Sequence, residues 1–574
     1  RFVPKKWKGY WITHPDISID DYNVVLFRKT IELQNQPEKF IINISASNRY
    51  YLFINGKKVC YGPQLSDIRH WRYETIDIAP FLKSGKNLVA VEVINWGENR
   101  FFGIMSEKTG LLINGFSENE KAINTEDKSW KSFVNKAYRS NHPNWMYSVD
   151  IVGGFYASNP GDSIKSANYP WGWKEISFDD TQWKNPKYLA GTSSMGGGVF
   201  WMMQPRSTPL QTDTLERFTK VVKTEGVSVT SDFLQGKKLI TIPANSSAKI
   251  LIDQTYLTLG YPELKVSGGN NARIKITYAE NLYNKDKTRS NRNEIDNKIV
   301  IGLNDVYTLD GGKGRMYTPT WYRAFRFIQL EIITQSDPVT IEDYYNVYSG
   351  APIVKKAEFK SDNPNYDKVM DICWRSARIG TQDNLVSDAY YEQMQYVGDS
   401  RVHALTNLYL SGEDIWLRNA IEQFNYSRLP DGMITSCYPL KATFVHPTFT
   451  LIWIDMVHDF MMHCDNKAFV KKYVSNIQQS LYWYENHLNE NGLLGKSEWD
   501  HFVDWYPTSK IEKGGGNPDV THDGNSAVVN LHYVYSLQNA ADIFDYCDKP
   551  NEANAYRKLV SQVQKAVFEK CYDS

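Results

Sequence analysis

The apolar residues of this 574-residue chain change period once, near residue 360, and that switch constrains the fold more than any other feature. Upstream they alternate. Ile42, Ile44 and Ala46 interleave with polar neighbours, as do Leu52 and Ile54, and Asn87–Asn95 is a strand-like run. A period of two buries one face of a β-strand. Asn55-Gly56 follows the alternating run directly and signals a tight hairpin, with Lys57, Val59 and Tyr61 on the return strand. Short strands punctuated by Gly, Pro and Asn predict antiparallel sandwiches. Downstream, Tyr366, Val369, Met370, Cys373 and Ala377 fall at i, i+3, i+4, i+7 and i+11, one face of a helix. Further helices are expected at about 399–410, 413–427, 447–463, 466–488, 526–545 and 551–571. The expected fold class is therefore multidomain: N-terminal antiparallel β-sandwich domains, jelly-roll-like, followed by an all-α toroid of antiparallel helix pairs. An odd helix count predicts that the toroid is incomplete here.

The turn-rich stretch Gly191 to Pro209, with Gly196-Gly197-Gly198, reads as a linker. The expected domains are 1–205, a sandwich region of galactose-binding type; 206–350, a second sandwich; and 351–574, the first part of the helical domain. Lys+Arg and Asp+Glu are both 65, and the zero net charge argues against a bulk nucleic-acid binder. The longest apolar runs fall far short of the ~20 residues of a membrane span. The six cysteines show no CxxC and no zinc spacing, and the histidines show no HExxH, so neither a disulfide framework nor a catalytic zinc is expected. The start at Arg1 without an apolar leader is read as a removed signal peptide, hence a secreted or periplasmic protein.

Aromatic residues reach 14%, with 17 Trp and 37 Tyr. Large half-polar rings suit both sandwich cores and sugar faces. Two stretches combine them with acids. Ser387–Asp399 holds Asp388, Glu392 and Asp399 with Tyr390, Tyr391 and Tyr396, between two expected helices. Asp399 stands where a helix begins and would serve there as an N-cap or as a sugar ligand. Glu392 has no helix to cap. It is either an exposed loop glutamate or, among its tyrosines, a carboxyl whose pKa is raised by lost solvation, as a general acid requires. Glu498–Tyr506 alternates Trp499, Trp505 and Tyr506 with Glu498, Asp500 and Asp504. It is either a sugar-holding surface or a loop folded on its own rings. The triglycine Gly514–Gly516 lacks the Lys and Ser/Thr of a phosphate loop, and no GxSxG occurs.

These residues bring out a resemblance to the α-L-rhamnosidases of glycoside hydrolase family 78. Tyr51–Val59 with Gly62-Pro63 resembles the family's N-terminal sandwich. Asp305–Asp310 with Tyr317–Phe327 resembles the sandwich that precedes the catalytic domain. Glu392-Gln-Met-Gln-Tyr-Val-Gly-Asp399 resembles the catalytic segment written Glu-Arg-Leu-Gly-Trp-x-Gly-Asp. The resemblance implies an (α/α)6 catalytic domain and an inverting hydrolase. It implies Glu392 as general acid, Asp399 as a substrate ligand, Tyr396 in place of a Trp in the sugar wall, and Asp504-Trp505 as a substrate-contacting pair. Asp388 is a further substrate-binding candidate, although it stands only four residues before Glu392, and Gln393 and Gln395 replace Arg and Gly.

The expected function is exo-acting, inverting release of terminal α-L-rhamnose from glycans or glycosides. The catalytic residue is Glu392, and Asp388, Tyr396, Asp399, Trp499, Asp504 and Trp505 bind substrate. No cofactor and no metal are expected, and the partners are a glycoside or polysaccharide and no nucleic acid. Two other readings stay open: an exo-glycosidase for another deoxy-sugar or uronic acid, and a carbohydrate-binding protein without catalysis. An inverting step needs a second carboxylate roughly 6.5–9.5 Å from the acid. In the family that base follows the acid by more than the 182 residues between Glu392 and Ser574. It is therefore expected beyond Ser574, in a continuation of roughly 150–250 residues.

Overall fold

The computed structural model describes residues 7–125, 128, 130–141, 154–192, 200–505, 516 and 525–572. The triglycine of the expected linker, Tyr506 and Gly514-Gly515 lie outside the described residues. The chain divides into two compact units. One comprises Arg1–Pro352 with Asp388–Gln393, the other Ile353–Ser387 with Met394–Ser574.

The first unit is built from sheets. A six-stranded sheet runs in the spatial order Lys187–Ala190, Trp11–Thr13, Gly110–Gly115, Ile41–Ser47, Trp71–Asp77, Met203–Pro205. A five-stranded sheet runs Lys57–Gly62, Arg49–Ile54, Gly85–Asn95, Asn23–Leu33, Lys131–Val134. The alternation read in the sequence sets their inner faces. Val25, Phe27, Ile42, Ile44, Leu52, Val89 and Val91 are all fully buried in one shared core. Each such side chain contributes roughly 1.5–3 kcal/mol. The Asn55-Gly56 hairpin forms as expected. Both residues take positive φ, 50° and 80°, which a two-residue turn of matching twist requires.

A second sandwich is organised by one strand of 22 residues, Ser247–Gly268. Its first half pairs with Arg323–Ile333 and Lys220–Glu225. Its second half pairs with Val339–Gly350, after a register break between Asp253 and Thr258. The strand thus turns the corner from one sheet to the other. Gly260 makes the turn possible, since a Cβ there would stand 2.3 Å from the Val347 carbonyl oxygen. Ile250, Ile252, Ile274, Ile276, Phe325, Leu330 and Ile341 fill the core between the two halves. Asp162–Lys165 joins this second sandwich by parallel pairing with Leu303–Thr308, and Tyr138–Ser140 pairs antiparallel with Asp162–Lys165, so residues upstream of 205 serve both sandwiches.

Inside the second sandwich Arg323 is buried between Asp162 and Asp305, at 3.0 and 2.8 Å. Thr320 donates to Asp162 through both N and Oγ1 at 2.7 Å. Two of the stretches that carried the family resemblance, Asp305–Asp310 and Tyr317–Phe327, meet in this ion cluster.

The second unit is helical: α1 Asn365–Ile379, α2 Val397–Ser411, α3 Ile415–Tyr426, α4 Pro447–His463, α5 Lys467–Lys471, α6 Val474–Asn486, α7 Ala527–Tyr546 and α8 Pro550–Cys571. α2 packs on α4 and α4 on α7, while α3 returns along α2 and α8 along α7. The unit is thus a succession of helical hairpins. Three expectations are corrected. The helix expected at 466–488 is broken between α5 and α6. The apolar stripe of α1 faces solvent at Tyr366, Val369 and Cys373, and only Ala377 is buried. The helix expected from 399 starts at Val397 with Tyr396 in the cap position, so Asp399 lies in its first turn and caps nothing. Among the described residues no helix is long and apolar enough to cross a membrane, and no group of three or more His, Cys, Asp or Glu is placed to hold a metal ion.

Candidate functional site

Glu392 sits on the loop Asp388–Gln393, and that loop packs with the sandwiches rather than with the helices that flank it in sequence. Its stem, Ser387 and Met394, belongs to the helical unit, where the two residues exchange backbone hydrogen bonds of 2.8 and 3.1 Å. Within the sheet unit the loop is held along its whole length. The Tyr391 carbonyl accepts from the N–H groups of Ala157 and Ser158. The Tyr390 hydroxyl donates to the Tyr278 carbonyl at 2.7 Å and accepts from Leu303 N–H. Arg289 donates to the Tyr391 hydroxyl at 2.8 Å and stacks on its ring.

Gln393, one of the departures from the family segment, closes the loop in left-handed geometry, φ 55°. Its Oε1 accepts from Trp321 Nε1 at 2.7 Å and Ser158 Oγ at 2.5 Å, and its Nε2 donates to the Ala389 carbonyl. The other departure, Gln395, is equally committed in the helical unit. It donates to Gln423 Oε1 and the Tyr438 carbonyl and accepts from Leu385 N–H.

Asp388 organises the bend. Its Oδ1 accepts from the N–H groups of Tyr390, Tyr391 and Glu392 at 3.2, 2.5 and 3.0 Å. The residue has the accessible area of a surface group yet is crowded by protein at longer range, as in a recess. That crowding pushes its carboxyl up to about 6, Glu280 adds to the rise, and the three N–H donors oppose it. Glu392, half buried, thus has its backbone pinned by a carboxylate four residues earlier.

In the helical unit Asp399 is exposed and accepts from Ser387 Oγ at 2.8 Å. Tyr396 precedes it, half buried, opposite Cys437 in a short bridge. The Phe449 ring in the first turn of α4 lies against Gly398, 3.7 Å from where a Cβ would stand. The same ring is 6.0 Å from that of Phe502, which lies 5.3 Å from Trp505. Phe449 therefore brings the start of α2, with Asp399, and the loop carrying Asp504 and Trp505 to one end of the helical unit. Trp505 is 73% exposed, and Asp504 is exposed with its Oδ1 accepting from Trp505 N–H. Trp499 is half buried, its backbone bonded to the Ser497 hydroxyl. Glu498 is occupied with Trp483 and His487.

Sequence reading missed the seats of the Glu392 loop, namely Ser158, Tyr278, Tyr283, Arg289 and Trp321, because they lie 70 to more than 230 residues away. It also missed His446, packed among Phe444, Phe449 and Phe502.

Two family models match the chain. That of the bacterial α-L-rhamnosidase 6 hairpin glycosidase domain covers residues 354–574, and that of the bacterial α-L-rhamnosidase concanavalin-like domain covers 244–345. Among solved structures, a family 78 rhamnosidase of Bacillus sp. GL1 is 16% identical with a TM-score of 0.85, over 100% of this chain and 78% of that one. The α-L-rhamnosidase of Aspergillus terreus is 17% identical with a TM-score of 0.72, over 99% and 62%. That of Streptomyces avermitilis, solved with L-rhamnose, is 16% identical with a TM-score of 0.65, over 96% and 49%. The chain thus spans between about half and four-fifths of the length of these structures. No curated protein sequence matches it. At such identities the structures speak for the fold, and the two domain models, in the same order along the chain as its sheets and helices, speak for the family. The chain belongs to the bacterial α-L-rhamnosidases of glycoside hydrolase family 78.

Proposed function

We propose that the protein is an exo-acting, inverting α-L-rhamnosidase in which Glu392 is the general acid. The observation that carries the reading is the Asp388–Gln393 loop. It is pinned residue by residue, with Asp388 accepting from its backbone N–H groups and the Glu392 side chain half exposed. In this reading Glu392 protonates the oxygen of the leaving group, and Asp388 holds the backbone from which Glu392 projects and contacts substrate. Tyr396, Asp399, Trp499, Asp504 and Trp505 hold the sugar, with the open face of Trp505 suited to its C–H surface. Residues 351–574 are the catalytic domain, and the sandwich regions 1–205 and 206–350 seat its acid. No residue is assigned to the water-activating base. Gln393 and Gln395 spend their amides on protein partners, so these two departures from the family segment do not redirect specificity. Such an enzyme works outside the cytoplasm, secreted or in the periplasm, which fractionation of the source cells checks.

The test uses an unactivated α-L-rhamnosyl disaccharide. Glu392→Gln lowers kcat by about 10²–10⁴, with little change in melting temperature. Proton NMR of the first turnovers shows β-L-rhamnose if the configuration inverts. Wild-type turnover in the variant removes Glu392 from the acid role, and α-rhamnose as first product removes inversion.

A further inference from the structure

The site reading above uses carboxylates and exposed rings and leaves out His446. This residue precedes Pro447 at the start of α4, and its N–H donates to Ser436 Oγ at 2.7 Å. Its side chain is enclosed by three phenylalanines. The ring stacks on Phe502 at 4.8 Å and meets Phe444 and Phe449 edge-on at 4.5 and 5.5 Å. Only 7% of the residue is exposed. Nδ1 is buried and has no hydrogen-bond partner among the described residues, which leaves Nε2 as the ring nitrogen that is not so enclosed.

We propose that His446 is a sugar-binding residue, a neutral imidazole that donates its Nε2–H to a hydroxyl of the glycone. That the glycone is rhamnose rests on the function proposed above. A neutral imidazole carries one proton and one lone pair. A buried N–H without an acceptor costs more than a buried lone pair without a donor, so the enclosed Nδ1 is the lone-pair nitrogen and Nε2 carries the proton. Burial also disfavours the imidazolium and pushes the group down to about 4, while Asp500 pulls weakly the other way. The ring therefore stays neutral at neutral pH. Its place matches the role. Phe449 and Phe502, two walls of the cage, tie the start of α2 with Asp399 to the loop with Trp505. A purely structural filler here would be another phenylalanine, which would leave no polar atom unpaired.

The experiment uses the full protein and the variant His446→Phe, which keeps the stack on Phe502. Calorimetric titration at about pH 7.5 is run with L-rhamnose, L-fucose and D-glucuronate. Loss of one neutral hydrogen bond weakens binding of the sugar that the wild type takes by about 3–10-fold, with no fall in melting temperature. If L-rhamnose binds both proteins equally, the inference falls and the rhamnosidase reading stands. If another sugar of the panel binds instead and depends on His446, the inference stands and the rhamnoside reading falls. If none of the three binds the wild type, the inference falls as well. A second readout needs no variant. Nitrogen-15 NMR of labelled histidine shows the Nε2-protonated tautomer and a shift of that nitrogen on sugar binding, and a Nδ1-protonated ring overturns the proposal.

Discussion

Asp388 and His446 depart from their ordinary titration in opposite directions for one reason: each is crowded by protein, and crowding disfavours whichever form is charged. The consequences for stability differ in sign. Unfolded, the imidazole titrates near 6.5; folded, it titrates at about 4. Between those values the unfolded chain holds the extra proton, so the contribution of His446 is full above pH 6.5 and is lost as pH falls toward 4. His446→Phe abolishes this loss. The gap in melting temperature between about pH 7.5 and 4.5 should narrow in the variant, by the equivalent of at most about 3 kcal/mol. For Asp388 the folded value, about 6, lies above the ordinary 3.8. Its contribution is therefore full below pH 3.8 and is lost as pH rises through 6. Asp388→Asn keeps a carbonyl acceptor for the three N–H groups and cannot ionise, whereas Asp388→Ala removes the acceptor. We expect Asp388→Ala to lower kcat at least about 10-fold more than Asp388→Asn, because only the first frees the Glu392 backbone. Equal losses in the two variants would assign Asp388 to substrate alone.

Among the elements, those that local chemistry dictates were readable from the chain. The Asn55-Gly56 turn formed because its two residues tolerate the positive φ that the turn demands. The strand-like run Asn87–Asn95 appears within the strand Gly85–Asn95, paired with Asn23–Leu33. The bend in Ser247–Gly268 was not readable, since Gly260 is needed for a φ of 155° and for the approach of Val347 from a strand some 80 residues later, neither of which local sequence announces. Gly260→Ala should accordingly lower the melting temperature by several degrees, a clash with backbone being harder to relieve than one with a side chain. An unchanged melting curve would mean that the corner has slack. α1 shows the reverse case. Its apolar period was plain, yet periodicity says only which residues share a face, and here Tyr366, Val369 and Cys373 of that face are exposed to solvent.

For the whole molecule, the division into sheets and then helices was legible because it rests on period alone, and the acidic–aromatic segment was legible because its residues are neighbours in sequence. The assignment of its acid-bearing loop to the sheet unit was not. Nothing near Glu392 announces Ser158, Leu303 or Trp321 as its support. That support passes through the second sandwich, whose Arg323 is buried between Asp162 and Asp305. Asp305→Ala leaves a buried cation half compensated, a loss of about 3–5 kcal/mol. Although Asp305 touches no residue assigned to catalysis, the variant should lose activity on heating at a lower temperature than the wild type. Thermal inactivation followed with a rhamnoside substrate measures this, and an unaltered inactivation profile would show that the sandwich does not sustain the acid.

The six residues Asp388–Gln393 lie between helices in the sequence but take their support from strands. A chimera that joins these helices to the sandwiches of a relative would therefore transplant the acid without its seat. Trp321, Ser158, Tyr278 and the Arg289 loop would have to travel with the graft, as would whatever in the donor answers to Gln393. Recombination of this chain is thus constrained at sites that a boundary drawn between sheets and helices would treat as free.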